Sequence, residues 1–334
     1  MGILFPSFAP LNLLINLLYS VYMKIIGVKR NKIIVIAGPT TSGKSDLAVQ
    51  VASFINKQRK TINIDGTEII SADSRQVYEG MDIGTGKITK KEMGGIPHHM
   101  IDVSSPTSTF TVSHYQKKGK KIINQIIKKN KIPIVCGGTG FYIDALIDGT
   151  VIPDVKPNKK LRDVLSRKTT EELFTILLKK DPVRANTIDR KNPVRLIRAI
   201  EITEALGRVP RFKKNPLKVD VLFLGISLPQ HILSKRIEDR LKKRLKTGMI
   251  EEIKKLHEKG LSWKKMERFG LEYRYISRFL TGKITRKEME TQLLSEIKKY
   301  AKRQMTWFKK NKRIYWIKNK KEAISLIKSF LISR

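Results

Sequence analysis

The segment Gly38-Pro39-Thr40-Thr41-Ser42-Gly43-Lys44-Ser45 fits the pattern G-x-x-x-x-G-K-[ST] of a phosphate-binding loop. Its flanks fit as well. Ile33-Ile34-Val35-Ile36-Ala37 before it reads as a buried strand, and Asp46 to Ala52 after it reads as a helix with one apolar face. Glycines let the backbone curl so that successive N–H groups converge on phosphate oxygens at a helix N-terminus. Gly38, Pro39, Thr40, Thr41, Ser42, Gly43, Lys44 and Ser45 are therefore the expected diphosphate-binding residues. Lys44 would add a point charge on the terminal phosphate, and the Ser45 hydroxyl would ligate Mg²⁺. The loop specifies a polyphosphate or diphosphate ligand. It specifies neither a nucleotide nor hydrolysis.

A strand–loop–helix start constrains the rest of the chain. Glu68-Ile69-Ile70-Ser71-Ala72-Asp73 is a second apolar run that delivers a carboxylate at its C-terminal end, where α/β sheets place chemistry. Gly80 to Lys87 reads as a loop and His98 to Val103 as a short strand. The paired histidines fall on opposite faces of such a strand, so His99 is expected to be a scaffold residue rather than a metal ligand. Thr111 to Lys129 has helical periodicity, Ile132 to Cys136 is a strand, and Gly137-Gly138-Thr139-Gly140 is a tight turn into a helix from Phe141 to Leu146. The order β-α-β-β-α-β-α implies a parallel sheet with helices on both faces.

The strands then stop. Between about 153 and 216 the helical stretches Lys159–Ser166, Thr170–Lys179 and Val194–Leu206 are punctuated by Pro157, Pro182 and Pro193. Asn192 is a candidate N-cap with Pro193 at the first helical position. Val219 to Ile226 returns to the sheet, followed by helices over Gln230–Lys246, Glu251–Lys259 and Thr285–Asn311 and a closing strand at Arg313–Ile317. The expected architecture is α/β: a phosphate-loop-type parallel sheet flanked by helices, with an inserted all-helical domain. Its parts are a hydrophobic extension at 1–31, a catalytic core at 32–152 and 217–334, and the insertion at 153–216. Arg236 and Arg240, four apart on the basic helix, can face one anion.

Lys and Arg total 68 against 30 Asp and Glu, a formal net charge of +38. A chain so self-repelling calls for a polyanionic counterpart, most simply nucleic acid, although a general lysine richness supplies part of the surplus. The single Cys136 excludes an intramolecular disulfide framework and a cysteine-based zinc site, which points to a reducing, cytoplasmic setting. Met1 to Met23 carries no charge and is long enough to span a membrane. It lacks a basic leader and is interrupted by Pro6, Pro10, Asn12 and Asn16, so a non-essential extension, or a start at Met23, is favoured over membrane contact.

Taken together, these residues resemble the tRNA dimethylallyltransferase (tRNA isopentenyltransferase) family. The likeness rests on 38–45, Asp-Ser-Arg-Gln-Val-Tyr (73–78), Met-Asp-Ile-Gly-Thr-Gly-Lys (81–87) and Pro-His-His-Met-Ile-Asp (97–102). It continues through Gly-Gly-Thr-Gly-Phe-Tyr (137–142), Asn-Pro-Val-Arg-Leu-Ile-Arg-Ala-Ile-Glu (192–201) and Ala-Lys-Arg-Gln-Met-Thr-Trp-Phe (301–308). The resemblance implies transfer of a dimethylallyl group from dimethylallyl diphosphate to N6 of the adenosine next to the anticodon, with release of diphosphate. It also implies Asp73 as proton acceptor, and Thr139 as the residue that positions Asp73 or the base. Ser74, Arg75 and Gln76 would lie around the flipped base, and Arg195, Arg198 and Arg274 on the anticodon stem-loop. Lys44 and Arg236, with Arg240, are expected to stabilise the leaving diphosphate, with Mg²⁺ as cofactor. No protein partner is implied, and a monomer is expected. Glu272 stands where the family usually has glycine, which places the Arg274 contact in question.

Three other functions fit the loop alone. A small-molecule kinase would need an arginine-bearing lid and leaves the helical insertion and the charge unexplained. A nucleic-acid-stimulated NTPase would need a neighbouring catalytic Glu that Ser71-Ala72-Asp73-Ser74 lacks. A prenyltransferase acting on free adenine nucleotides is disfavoured by the insertion and the arginine pairs.

Overall fold

The computed structural model describes residues 31–210 and 214–333. The expectations for residues 1–30 lie outside them. By internal contacts the chain divides into two units, one formed by residues up to Leu146 together with those from Leu217, the other by Ile147–Pro216.

The first unit is built on a six-stranded sheet. Its strands are β1 (Lys32–Ala37), β2 (Thr67–Ser71), β3 (His98–His99), β4 (Ile132–Gly137), β5 (Asp220–Ile226) and β6 (Ile314–Ile317). Every pairing is parallel, in the order β3-β2-β4-β1-β5-β6. β1 lies between β4 and β5, with Ile34 opposite both Ile134 and Leu222. Helices cover both faces of such a strand, so its residues form a continuous apolar run rather than an alternating one. Parallel strands need crossovers, and α1 (Lys44–Lys57), α2 (Val112–Lys128) and α3 (Gly140–Ile147) supply them. Leu47, Ala48, Val51 and Ile55 of α1 pack with Ile34, Ile36, Ile134 and Leu224. Because β2, β4 and β1 are neighbours, the turns leaving their C-terminal ends lie side by side. Those turns hold Asp73, Gly138–Thr139 and the phosphate loop.

The numbering of helices continues through the second unit with α4 (Lys159–Leu165), α5 (Thr170–Lys180), α6 (Pro182–Ala185) and α7 (Pro193–Leu206). They close over Leu173, Leu177, Ala185, Leu196 and Ile200. Asn192 caps α7 by accepting from the Arg195 amide at 3.2 Å, with Pro193 at the first position as its sequence implied. Buried Glu201 of α7 accepts from Arg162 Nε at 2.7 Å and Nη2 at 2.6 Å, from Arg198 Nη1 at 3.0 Å and from the Asn158 amide at 2.8 Å. Burial alone would push this carboxyl up, but the hydrogen bonds from Arg162 and Arg198 outweigh it and hold it below the usual range.

Back in the first unit, α8 (Gln230–Lys246), α9 (Met249–Glu258), α10 (Trp263–Met266), α11 (Leu271–Leu280) and α12 (Arg286–Phe308) form a helical layer, and α13 (Lys320–Ile332) packs on α1 and the β5–β6 edge. Their shared core takes in Val77, Tyr78 and Met81, which ties the layer to the segment after Asp73.

Two differences from the sequence reading stand out. The strand expected over 98–103 stops at His99, because the backbone turns left-handed at Met100 (φ 63°) and Asp102 (φ 50°). The helices α6, α10, α11 and α13 lie where the sequence reading placed no element. His99 Nε2 meets Glu68 at 2.7 Å, the scaffold role expected of it.

Candidate active site

The phosphate loop is shaped by two left-handed residues, Thr41 (φ 60°) and Gly43 (φ 88°), the latter capping α1. Lys44 Nζ donates back to the Pro39 carbonyl at 3.2 Å. Desolvation lowers the Lys44 pKa, opposed in part by neighbouring Cys136 and then by the charge of Asp73. Ser42 Oγ is buried without a hydrogen-bond partner among the described residues. Such an orphan at the heart of an anion cradle fits a site completed by ligand oxygens.

Among the described residues no group of three or more His, Cys, Asp or Glu is arranged to hold a metal. A Mg²⁺ ion here would take its remaining ligands from the diphosphate and water, beside the half-buried Ser45 at the start of α1. That donor set suits an ion that keeps its waters and favours phosphate oxygens.

Asp73 follows β2 directly. Its Oδ1 accepts from the Arg75 amide at 2.8 Å, a local turn that fixes the carboxylate and leaves Oδ2 without a hydrogen bond among the described residues. Thr139 sits across from it. Its amide donates to the Ala72 carbonyl at 3.0 Å, and its Oγ1 accepts from the Ser74 amide at 3.1 Å. The strand ends approach so closely that a Cβ on Gly137 would lie 2.1 Å from the Ala72 oxygen. Thr139 thus positions the residues flanking Asp73 rather than Asp73 itself.

The expected arginine pair is engaged at two points near the loop, with the Arg240 charge also felt by Lys44. Arg236 is exposed, and its Nη1 lies 3.9 Å from where a Cβ on Gly43 would be, at the mouth of the phosphate loop. Arg240 is more deeply set and donates to the Gly86 carbonyl at 3.1 Å. Burial, then the neighbouring Arg244 charge, lowers its pKa. Gln76 Nε2 donates to that same Gly86 carbonyl at 3.3 Å, which fastens Gln76 to the 81–87 loop. Arg75 runs beside Gly270, with its Nε 3.4 Å from where a Cβ on that glycine would be.

In the second unit, Arg195 is exposed and loosely paired with Asp189 at 3.4 Å. Arg198 is held by Glu201 and by the Val155 carbonyl at 2.9 Å. The two arginines look alike in the sequence but are differently engaged. Arg274 donates to the Glu267 carbonyl at 3.0 Å. Glu272 pairs with Arg244 Nη1 at 3.1 Å, so its carboxylate is neutralised within the protein.

Two residues escaped the sequence reading. Gln304, within the 301–308 motif, accepts from the Thr40 amide at 2.8 Å and donates to the Gly138 carbonyl at 2.8 Å. Its signal was a polar residue inside the apolar stripe of α12. Glu252 accepts from the amides of Asp82 (2.9 Å), Ile83 (2.6 Å) and Gly84 (2.8 Å) and from the Tyr273 hydroxyl (2.9 Å). Its partners are backbone groups far away in the chain, and no local pattern announces them.

A family model described as IPP transferase matches residues 76–311. The tRNA dimethylallyltransferase 1 of Syntrophus aciditrophicus is 40% identical over 262 residues, covering 77% of this chain and 82% of the relative. The tRNA dimethylallyltransferase 1 of Porphyromonas gingivalis is 41% identical over 259 residues, with 77% and 82% covered. Among solved structures, the full-length tRNA isopentenylpyrophosphate transferase of Bacillus halodurans superimposes with a TM-score of 0.65 at 31% identity, over 91% of this chain and 96% of that one. A eukaryotic dimethylallyltransferase acting on tRNA gives a TM-score of 0.68 at 27% identity, over 86% and 73%. With most of its length matched, this chain belongs to the IPP transferase family.

Proposed function

We propose that this chain transfers a dimethylallyl group from dimethylallyl diphosphate to N6 of the adenosine 3′ of the anticodon in tRNA. The observation that carries the reading is Asp73 Oδ2, left without a hydrogen bond among the described residues just past the C-terminal end of β2, beside the turns that hold Thr139 and the phosphate loop. In the reaction the prenyl C1–O bond breaks and its electron pair leaves with the diphosphate. The N6 lone pair forms the new C–N bond, and the N6 proton passes to Asp73.

Each neighbour has a task. Loop amides and Lys44 stabilise charge where it develops on the leaving group, and Arg236 at the loop mouth adds a guanidinium. Mg²⁺ bound with the diphosphate would neutralise further charge, with Ser45 as the chain's own ligand. Thr139 holds the Ser74–Arg75 segment at which an extruded base would arrive, since a base stacked in an RNA loop must leave the stack to react. Exposed Arg195 is the better candidate of its pair for a tRNA phosphate. The +38 net charge suits an RNA substrate.

Among the described residues no helix is long and apolar enough to cross a membrane. A cytoplasmic, monomeric enzyme accords with a tRNA substrate. The deciding experiment supplies labelled dimethylallyl diphosphate, ATP and unmodified tRNA together. Prenyl label in tRNA is expected; loss of the ATP γ-phosphate without prenylation would leave the kinase reading standing instead.

A further inference from the structure

The helix α12 buries Met289, Leu293, Ile297, Ala301, Gln304 and Phe308 along one stripe. The i+3/i+4 spacing makes this the helix's apolar face, and Gln304 interrupts it with an amide that is 7% exposed. A buried amide is unfavourable unless both of its ends are used. Here both are, and the chemistry fixes which atom does what: the carbonyl end must accept from the Thr40 N–H, and the NH₂ end must donate to the Gly138 carbonyl. The fit is close on the far side too. A Cβ on Gly138 would stand 2.4 Å from Gln304 Nε2 and 3.5 Å from Lys44 Cε.

Thr40 lies in the cradle for the leaving group. Gly138 adjoins Thr139, which holds the Ser74 amide beside Asp73. One side chain therefore spans the two halves of the reaction centre from a third element. We propose that Gln304 is a positioning residue that sets the spacing between the phosphate loop and the Thr139–Ser74–Asp73 turn, and so between leaving group and nucleophile. This rests on the prenyl-transfer reading above. Both ends of the Gln304 amide are engaged by the protein. The side chain takes up the Thr40 N–H, so that backbone amide is turned to the protein rather than to the anion.

The test uses Gln304→Glu. An ionised carboxylate still accepts from Thr40 but repels the Gly138 carbonyl, whereas a protonated one can donate to it and restores both bonds. The wild-type chain is assayed first, and failure of prenyl transfer there would refute the functional reading without bearing on Gln304. With transfer established, single-turnover rates of the variant are divided by those of the wild type from about pH 8 to about pH 6, which removes whatever pH dependence the two proteins share.

The expected result is a rate ~10²-fold below wild type at the alkaline end, recovering severalfold as the pH falls, with tRNA affinity unchanged. A pH-independent ratio, or one near unity throughout, overturns the proposal. Gln304→Asn, too short to span both partners, should raise the KM for dimethylallyl diphosphate and lower kcat at unchanged tRNA affinity, in protein that is still folded at the assay temperature although its thermal midpoint falls. A rate loss matched by loss of folded protein in both variants would make Gln304 a packing residue only.

Discussion

Removing the Glu252 carboxylate should loosen the 81–87 loop, by an amount that follows from its four bonds. One oxygen accepts from the Asp82 and Ile83 amides, the other from the Gly84 amide and the Tyr273 hydroxyl. A hydrogen bond to a charged group contributes about 1.5–3 kcal/mol when its partners cannot rehydrate. The loop is partly exposed and its freed amides would reach water, so about 1 kcal/mol per bond is the better figure here. Lys87, reaching the Tyr78 carbonyl at 2.8 Å, and Arg244, reaching the Ile83 carbonyl at 2.6 Å, still hold the loop from other sides. Glu252→Ala should therefore lose about 3–4 kcal/mol.

Glu252→Gln keeps one oxygen and replaces the other with a donor, so at least two of the four bonds survive whichever way the amide turns. It should lose about half as much, ~2 kcal/mol. Urea denaturation of the three proteins measures this as a shift in midpoint at constant slope. Since the loop carries Gly86, the partner of Arg240, the Ala variant should also raise the KM for dimethylallyl diphosphate severalfold. A loss below ~1 kcal/mol for Glu252→Ala would show that water replaces the carboxylate, and the ranking Gln worse than Ala would refute the bond count.

Asp73→Asn keeps the turn to the Arg75 amide but cannot take a proton, and should lower single-turnover transfer by ~10²–10⁴-fold with tRNA binding within a few-fold; retained transfer would remove Asp73 from the chemistry. Arg195→Ala should reduce the salt slope of tRNA binding by about one unit, whereas Arg198→Ala, which strips a partner from buried Glu201, should lower stability and leave that slope unchanged; filter binding and urea midpoints separate the two. Glu68, hydrogen-bonded by Lys131 and His99 against its own burial, is held in the folded state below its ordinary pKa of 4.5. The unfolded chain then takes up this proton first, so the contribution of Glu68 is present above that value and is lost as the pH falls through the folded one. Glu68→Gln should flatten the decline in stability with acid in that window, and an unaltered acid limb would count against the assignment.

What the sequence disclosed was whatever a local pattern encodes. The phosphate loop, the buried strands and the Asn192–Pro193 cap are all written in adjacent residues, and the structure places them as expected. Asp73 and Thr139 were found because parallel sheets present chemistry at strand ends. The hidden part is non-local. Arg195 and Arg198 have the same helical spacing, and only the position of Glu201 decides that one is engaged internally and the other exposed. Glu272 looked like a misplaced charge beside RNA until Arg244, on a different helix, proved to be its partner. The four-residue α10 is too short to show a period, and Gln304 has meaning only once Thr40 and Gly138 are brought to either side of it.

The turn after β4 has the character of a socket. Three of its positions lack side chains, and each gap is filled from elsewhere: Gly137 by the end of β2, Gly138 by Gln304, and Gly140 by the Trp307 indole, where a Cβ would stand 2.2 Å from Cδ1. The segments 137–140 and 301–308 are therefore mated parts, free to drift only in lock-step. A chimera that imports one of them from a distant relative without the other would put two bulky groups in the same space, or leave a hollow beside the nucleophile's support.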